Sequence, residues 1–170
     1  MEEAEEKEVD YTAFFTQFWL HAPEKLRETV TCSTVYSEIN TTIKGSIEAL
    51  NTESGALSAE QYERTASARR FELSQAQRKA VYRLFELYEQ HKKQMGKWDC
   101  ADMVFHLHAV CSGRLPRAAH TSEPLRAGFQ GQQLHFVYVD ECQDLTPAQL
   151  SLFKFVCSHS SGFVFAGDTA

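Results

Sequence analysis

No stretch of this chain reads as about eighteen consecutive apolar residues, and no charged-then-apolar segment opens it, so neither a membrane-spanning helix nor a secretory signal is expected. The five cysteines (Cys32, Cys100, Cys111, Cys142, Cys157) are odd in number and show neither Cys-x-x-Cys nor Cys/His metal spacing. That argues against a disulfide framework or a zinc finger and fits the reduced thiols of an intracellular protein. His106 and His108 lie two apart on an expected helix, where they face different directions and share no metal. A G-x-x-x-x-G-K-[ST] loop is also missing: the only Gly-Lys pair, Gly96-Lys97, lacks the preceding glycine pattern. The chain therefore carries no backbone cradle of that kind for a nucleotide's phosphates.

What is present is the composition of one soluble domain, 170 residues of which 43% are hydrophobic and 24% charged, enough to bury a core. The formal net charge is −6, and residues 1–8 hold five Glu against one Lys, which marks 1–10 as an acidic leader. Between positions 64 and 97 the balance reverses, with nine basic residues against three acidic ones. Arg78, Lys79, Arg83, Lys92 and Lys93 are expected there on the exposed face of a helix. Such a face suits a phosphate-contacting surface, and it equally suits an ordinary solvated helix.

Positions 11–111 read as a helical subdomain. Tyr11, Phe14, Phe15, Phe18 and Trp19 follow helical spacing as one wide apolar face closed by Pro23, a pattern that suits a core contact better than a base-stacking platform. A second helix is expected over 33–50, with Tyr36, Ile39, Ile43, Ile47 and Leu50 on one side and a bend at Gly45-Ser46. Ser58-Ala-Glu-Gln61 and Ser74-Gln-Ala-Gln77 open two more helices with capping-box patterns. The latter buries Val81, Leu84, Phe85 and Tyr88 and ends at Met95-Gly96. Asp99 then caps a helix whose first turn holds Asp102. Residues 112–133 read as a long loop.

The candidate chemistry lies in 134–170. LHFVYV over 134–139 is rich in β-branched and aromatic residues, as an interior strand is, and runs straight into Asp140 and Glu141. Both carboxylates thus fall at the strand's C-terminal end, the edge where open α/β sheets bind ligands. Thr146, Pro147 and Gln149 supply N-cap, N1 and N3 of a helix expected to run through Leu150, Phe153, Val156 and Cys157. A second apolar strand, Phe163-Val-Phe-Ala166, stops at Gly167-Asp168 and completes a βαβ unit. The expected fold class is α/β, a mostly helical N-terminal part followed by a partial parallel sheet. Two strands with helices on one side leave a sheet face uncovered, so the chain reads as a fragment of something longer.

VDECQD, followed after one helix by FAGD, resembles motif II and the beginning of motif III of the UvrD/Rep-like superfamily 1 helicases, ATP-driven motors on nucleic acid. The resemblance implies a P-loop-NTPase (RecA-like) unit over 134–170. It implies Asp140 for Mg²⁺ through water, Glu141 as general base, Gln143 for coupling nucleotide state to the nucleic-acid site, and Gly167 and Asp168 as motif III. It also implies ATP and Mg²⁺ as cofactors of the complete parent. The partners it implies are nucleic acid, DNA ahead of RNA, and the remaining helicase domains, with no membrane. FFTQFW, VYSEINTTIKGS, YRLFELYEQHKKQ and WDCADMVFHL are similar to the helicase region of large TPR and ankyrin repeat-containing proteins, which implies a helical subdomain inserted in the first motor domain. The family's motif III continues to a Gln about two residues on, which these 170 residues do not contain. Two expectations follow: a piece of an ATP-dependent helicase, or an inactive helicase-derived module that binds protein or nucleic acid.

Overall fold

The computed structural model describes residues 7–67, 73–114, 129 and 131–168. It is a mostly helical α/β chain with one two-stranded parallel sheet, divided into a unit over 1–103 and a unit over 104–170. The leader's first six residues and most of the 112–133 loop lie outside the described residues. Lys7 to Val9 are tied down: the Val9 N–H donates to the Trp98 carbonyl at 2.8 Å and the Trp98 N–H to the Lys7 carbonyl at 3.1 Å, with the Val9 side chain buried.

In the first unit α1 (Tyr11–Ala13) is capped by Asp10 and opens into a π-helical turn, Phe14–Phe18, and a 3₁₀ turn, Trp19–His21. The wider turn divides the expected aromatic face. Phe14, Phe18 and Trp19 are buried, whereas Tyr11 and Phe15 remain partly in solvent. A short α2 (Glu24–Arg27) follows, and then α3 (Cys32–Ser37), capped by Thr31. Contrary to the expected helix over 33–50, α3 passes into a π-helical turn, Glu38–Ile43, and stops. At Gly45 an added Cβ would lie 2.0 Å from the Asn40 carbonyl oxygen, so the chain turns where only glycine fits, and Ile47 ends up half exposed.

The capping boxes form as their spacing predicts. The Ser58 N–H donates to Gln61 Oε1 and the Gln61 N–H to Ser58 Oγ, opening α4 (Ala59–Ser67). Ser74 and Gln77 make the same exchange before α5 (Gln75–Met95), which Gly96 terminates in the left-handed conformation. Helix α5 buries Val81, Leu84, Phe85 and Tyr88, and Tyr88 meets Phe14 and Phe18 at ring-centroid distances of 5.0 and 5.4 Å. Helix α6 (Cys100–Cys111) begins at Asp99 and Asp102, which exchange backbone-to-carboxylate hydrogen bonds of 2.9 and 3.0 Å.

In the second unit β1 (Val137–Val139) pairs in parallel with β2 (Phe163–Phe165), Val137 opposite Phe163 and Val139 opposite Phe165. Between them run α7 (Pro147–Ser151), with the Thr146/Gln149 capping box and Pro147 at its first position, and α8 (Phe153–Val156). The helix stops one residue short of the expected Cys157, which is extended and bridges to Leu134. Val137 and Val139 pack against Cys157, Leu150, Phe153 and Val156. The opposite face is bare: Phe136 and Tyr138 are 63% and 74% exposed. The strand expected to be interior is thus covered on one face only, because a single helical layer packs on two strands.

Candidate functional site

The turn after β1 brings together most of the residues that the sequence singles out. Strand pairing carries past the strand ends: the Ala166 N–H donates to the Val139 carbonyl at 2.8 Å, and the Cys142 N–H to the Ala166 carbonyl at 3.0 Å. Glu141 adopts φ 51°, ψ 40°, the left-handed region, and is the only non-glycine residue with positive φ among the described residues. Holding a glutamate there costs roughly 1–2 kcal/mol. Such strain persists where the surroundings over-determine it, and it often accompanies function. The reversal lets Asp140 Oδ1 accept the Glu141 N–H at 3.0 Å, while Gln143 Nε2 donates to Glu141 Oε2.

Gly167 completes the turn from the other strand. A Cβ there would lie 2.1 Å from Gln143 Oε1 and 3.1 Å from Cys142 Sγ, so the Gln143 amide occupies the space that glycine leaves. Gly167→Ala is expected to displace Gln143 and break its hydrogen bond to Glu141, seen as a shift of the Gln143 side-chain amide resonances. The displaced atom ends a flexible, exposed side chain, so the melting temperature should fall by only about 3 °C, in line with roughly 0.5 kcal/mol for a surface change. Unmoved amide resonances would contradict the packing. Asp168 follows in the chain, exposed, with no hydrogen bond or ion pair of its side chain among the described residues. Asp140, Glu141, Gln143 and Gly167 are therefore brought together, and Asp168 stands beside them in sequence alone.

The basic helix face is a different matter. Lys92 is 2% exposed, a correction to its expected place on the solvent face. It donates to Asp99 Oδ2 at 2.6 Å and to Asp102 Oδ2 at 2.5 Å. Lys44, also buried, reaches both Asp99 oxygens at 2.8 Å and Glu89 at 3.1 Å, and Tyr88 Oη donates to Asp99 Oδ2 at 3.1 Å. Burial alone would push the Asp99 carboxyl up, but the charges of Lys44 and Lys92 outweigh it and hold the group well below the usual carboxylate range. Likewise burial would lower the Lys44 ammonium, and Asp99, Glu89 and Asp102 raise it instead. The carboxylates of Glu89, Asp99 and Asp102 converge as metal ligands do, but the Lys44 and Lys92 ammonium groups already pair with all three.

Arg78 bonds Glu63 at 2.7 Å and the Leu73 carbonyl, and Arg83 pairs with Glu86 at 2.7 Å. Lys79 and Lys93 are exposed. A phosphate-contacting surface on α5 would thus rest on Lys79, Lys93 and an Arg83 already held by Glu86, far less than the sequence count suggests. No helix among the described residues is long and apolar enough to cross a membrane.

The second unit holds a capped helix joining two parallel strands, with an acidic turn clasped between their tips, and the first unit is helical. This arrangement accompanies a match over residues 5–170 to the UvrD/REP helicase N-terminal domain, and the chain belongs to that family. It is also similar to TPR and ankyrin repeat-containing protein 1 of Homo sapiens, 30% identical over 162 residues, which are 95% of this chain and 5% of that protein. The chain thus spans a small fraction of that relative's length. No solved structure matches it.

Proposed function

We propose that this chain supplies the metal-and-water side of an ATP-driven nucleic-acid motor, its 134–168 segment forming part of a P-loop-NTPase (RecA-like) core. The observation that carries the reading is the Asp140-Glu141-Gln143 turn, strained at Glu141 and clasped by Gly167 at the C-terminal edge of a parallel sheet. The donor set fits Mg²⁺: Asp140 offers a hard carboxylate oxygen in solvent, and no cationic side chain pairs with it among the described residues. Mg²⁺-ATP, when bound, supplies the phosphoryl group that water attacks.

Asp140 holds the metal through water, and Glu141 takes the proton of the attacking water. Gln143, which contacts both Glu141 and the strand bearing Gly167-Asp168, relays the state of the nucleotide edge. The phosphate cradle is not encoded in these 170 residues, so the reading requires a longer polypeptide to provide it. Nucleic acid, DNA ahead of RNA, and the other motor domains are the partners of that longer protein.

In a polypeptide that carries the remaining motor, Asp140→Asn is expected to weaken Mg²⁺-dependent binding of a fluorescent ATP analogue about tenfold or more, the scale for loss of an outer-shell metal contact. Equal affinity with and without the substitution would remove Asp140 from the metal site.

A further inference from the structure

Away from the acidic turn, the second unit holds a buried imidazole between two cations. His108, on α6, is 6% exposed. Lys154 Nζ on α8 lies 2.9 Å from its Nε2, and an Arg114 guanidinium nitrogen lies 3.0 Å from its Nδ1. Lysine and arginine carry donors only, while a neutral imidazole has one N–H and one lone pair. Whichever tautomer forms, one contact is a hydrogen bond and the other sets donor against donor. A protonated ring would make both repulsive. One ring N–H of a nine-tenths-buried side chain is therefore left without an acceptor, beside two positive charges.

Among the described residues no carboxylate pairs with Lys154 or Arg114. Each cation instead lies over an aromatic ring, Lys154 over Phe155 at 4.9 Å and Arg114 over Phe105 at 5.7 Å. The rings hold the charges in place without neutralising them. Burial, then Lys154, then Arg114, lower the His108 imidazole from its ordinary value, as expected of a site built without its counter-charge.

We infer that His108, Lys154 and Arg114 form an oxyanion site for a phosphate group, whose oxygens supply the acceptor that the ring N–H lacks and the negative charge that neither cation finds among the described residues, the Arg114 Nε–H being already given to Ser112 Oγ at 3.3 Å. Phosphate meets this geometry with several acceptor oxygens and negative charge. The inference is independent of the motor reading, since it uses none of Asp140, Glu141 or Gln143.

The test is an NMR titration of the His108 ring protons in the 170-residue chain from pH 5 to 8. It is run alone, with sulfate, whose charge is constant over that range, with inorganic phosphate, and with a single-stranded oligonucleotide. Without anion, His108 should titrate below its ordinary value. Bound anion favours the imidazolium, so sulfate should raise the titration midpoint by about half a pH unit or more, and the anion should bind more tightly as pH falls.

Lys154→Met and Arg114→Gln should each weaken the anion about tenfold, the scale of one charge-assisted hydrogen bond. Both side chains lie at the surface, so the fold should survive either change. If the oligonucleotide acts at far lower concentration than inorganic phosphate, the site serves a nucleic-acid backbone; if the two act alike, it serves free phosphate. The inference is overturned if His108 already titrates at or above its ordinary value without anion. It is equally overturned if no anion moves the ring signals, or if the two variants bind as tightly as the parent.

Discussion

Asp99→Ala is expected to lower the melting temperature of the helical unit by on the order of 15–30 °C, the consequence of about 3–5 kcal/mol lost when one partner of a buried charge network is removed. Asp99 is 2% exposed and accepts from Lys44, Lys92 and Tyr88, while also capping α6. Its loss leaves two buried ammonium groups to Glu89 and Asp102 alone and uncaps the helix at the same stroke. Tyr88→Phe, which removes a single donor to Asp99, should cost only about 1 kcal/mol. Thermal unfolding followed by circular dichroism separates the two. An Asp99→Ala chain melting within about 3 °C of the parent would show that the network contributes nothing the helices do not already have.

The same network sets the pH range of stability. Asp99, lowered in the folded state, contributes stability that is present above the unfolded value of about 3.9 and disappears as pH falls through its folded value. Lys44, raised in the folded state, contributes stability present below about 10.4 and lost as pH rises through its folded value. A plateau between those limits, with acid unfolding beginning below about pH 4, is the expected profile.

How far the sequence carried this structure depends on which forces are local. The capping boxes at Ser58, Ser74 and Thr146 and the glycine stop at Gly96 form as read, since each is settled within four residues of chain. The π-helical turns at 14–18 and 38–43 were not legible. They depend on how aromatic and aliphatic side chains pack across elements, and the first of them explains why Phe15 leaves the core, as the turn at Gly45 explains Ile47.

Lys92 shows a signal that periodicity held and residue type obscured. It continues the stripe of Val81, Phe85 and Tyr88 at helical spacing, so its position pointed inward while its charge suggested solvent. The partners that make its burial tolerable, Asp99 and Asp102, were visible as a helix cap but not as counter-ions. In the acidic turn, the residue types and their place after an apolar strand were readable. The left-handed Glu141 and the packing of Gln143 on Gly167 come from two strands meeting and needed the fold.

Glu141→Gln is expected to reduce ATP turnover about 10²-fold or more, the scale of a general base, while leaving nucleotide binding in place. The substitution keeps the side chain's length and its capacity to accept from Gln143 but removes the charge that, on the proposed function, takes a proton from water. The left-handed backbone and the Gln143 hydrogen bond fix where that carboxylate stands, so the loss should appear in turnover and not in affinity. The decisive measurement is nucleic-acid-stimulated ATP hydrolysis by a polypeptide that joins this chain to the remaining motor, parent against Glu141→Gln, with ATP binding followed in parallel. Turnover in the parent that collapses in the variant at unchanged binding is the expected result. Equal turnover in the two, or a parent that neither binds nor hydrolyses ATP, would contradict the assignment of this turn to a motor's catalytic edge.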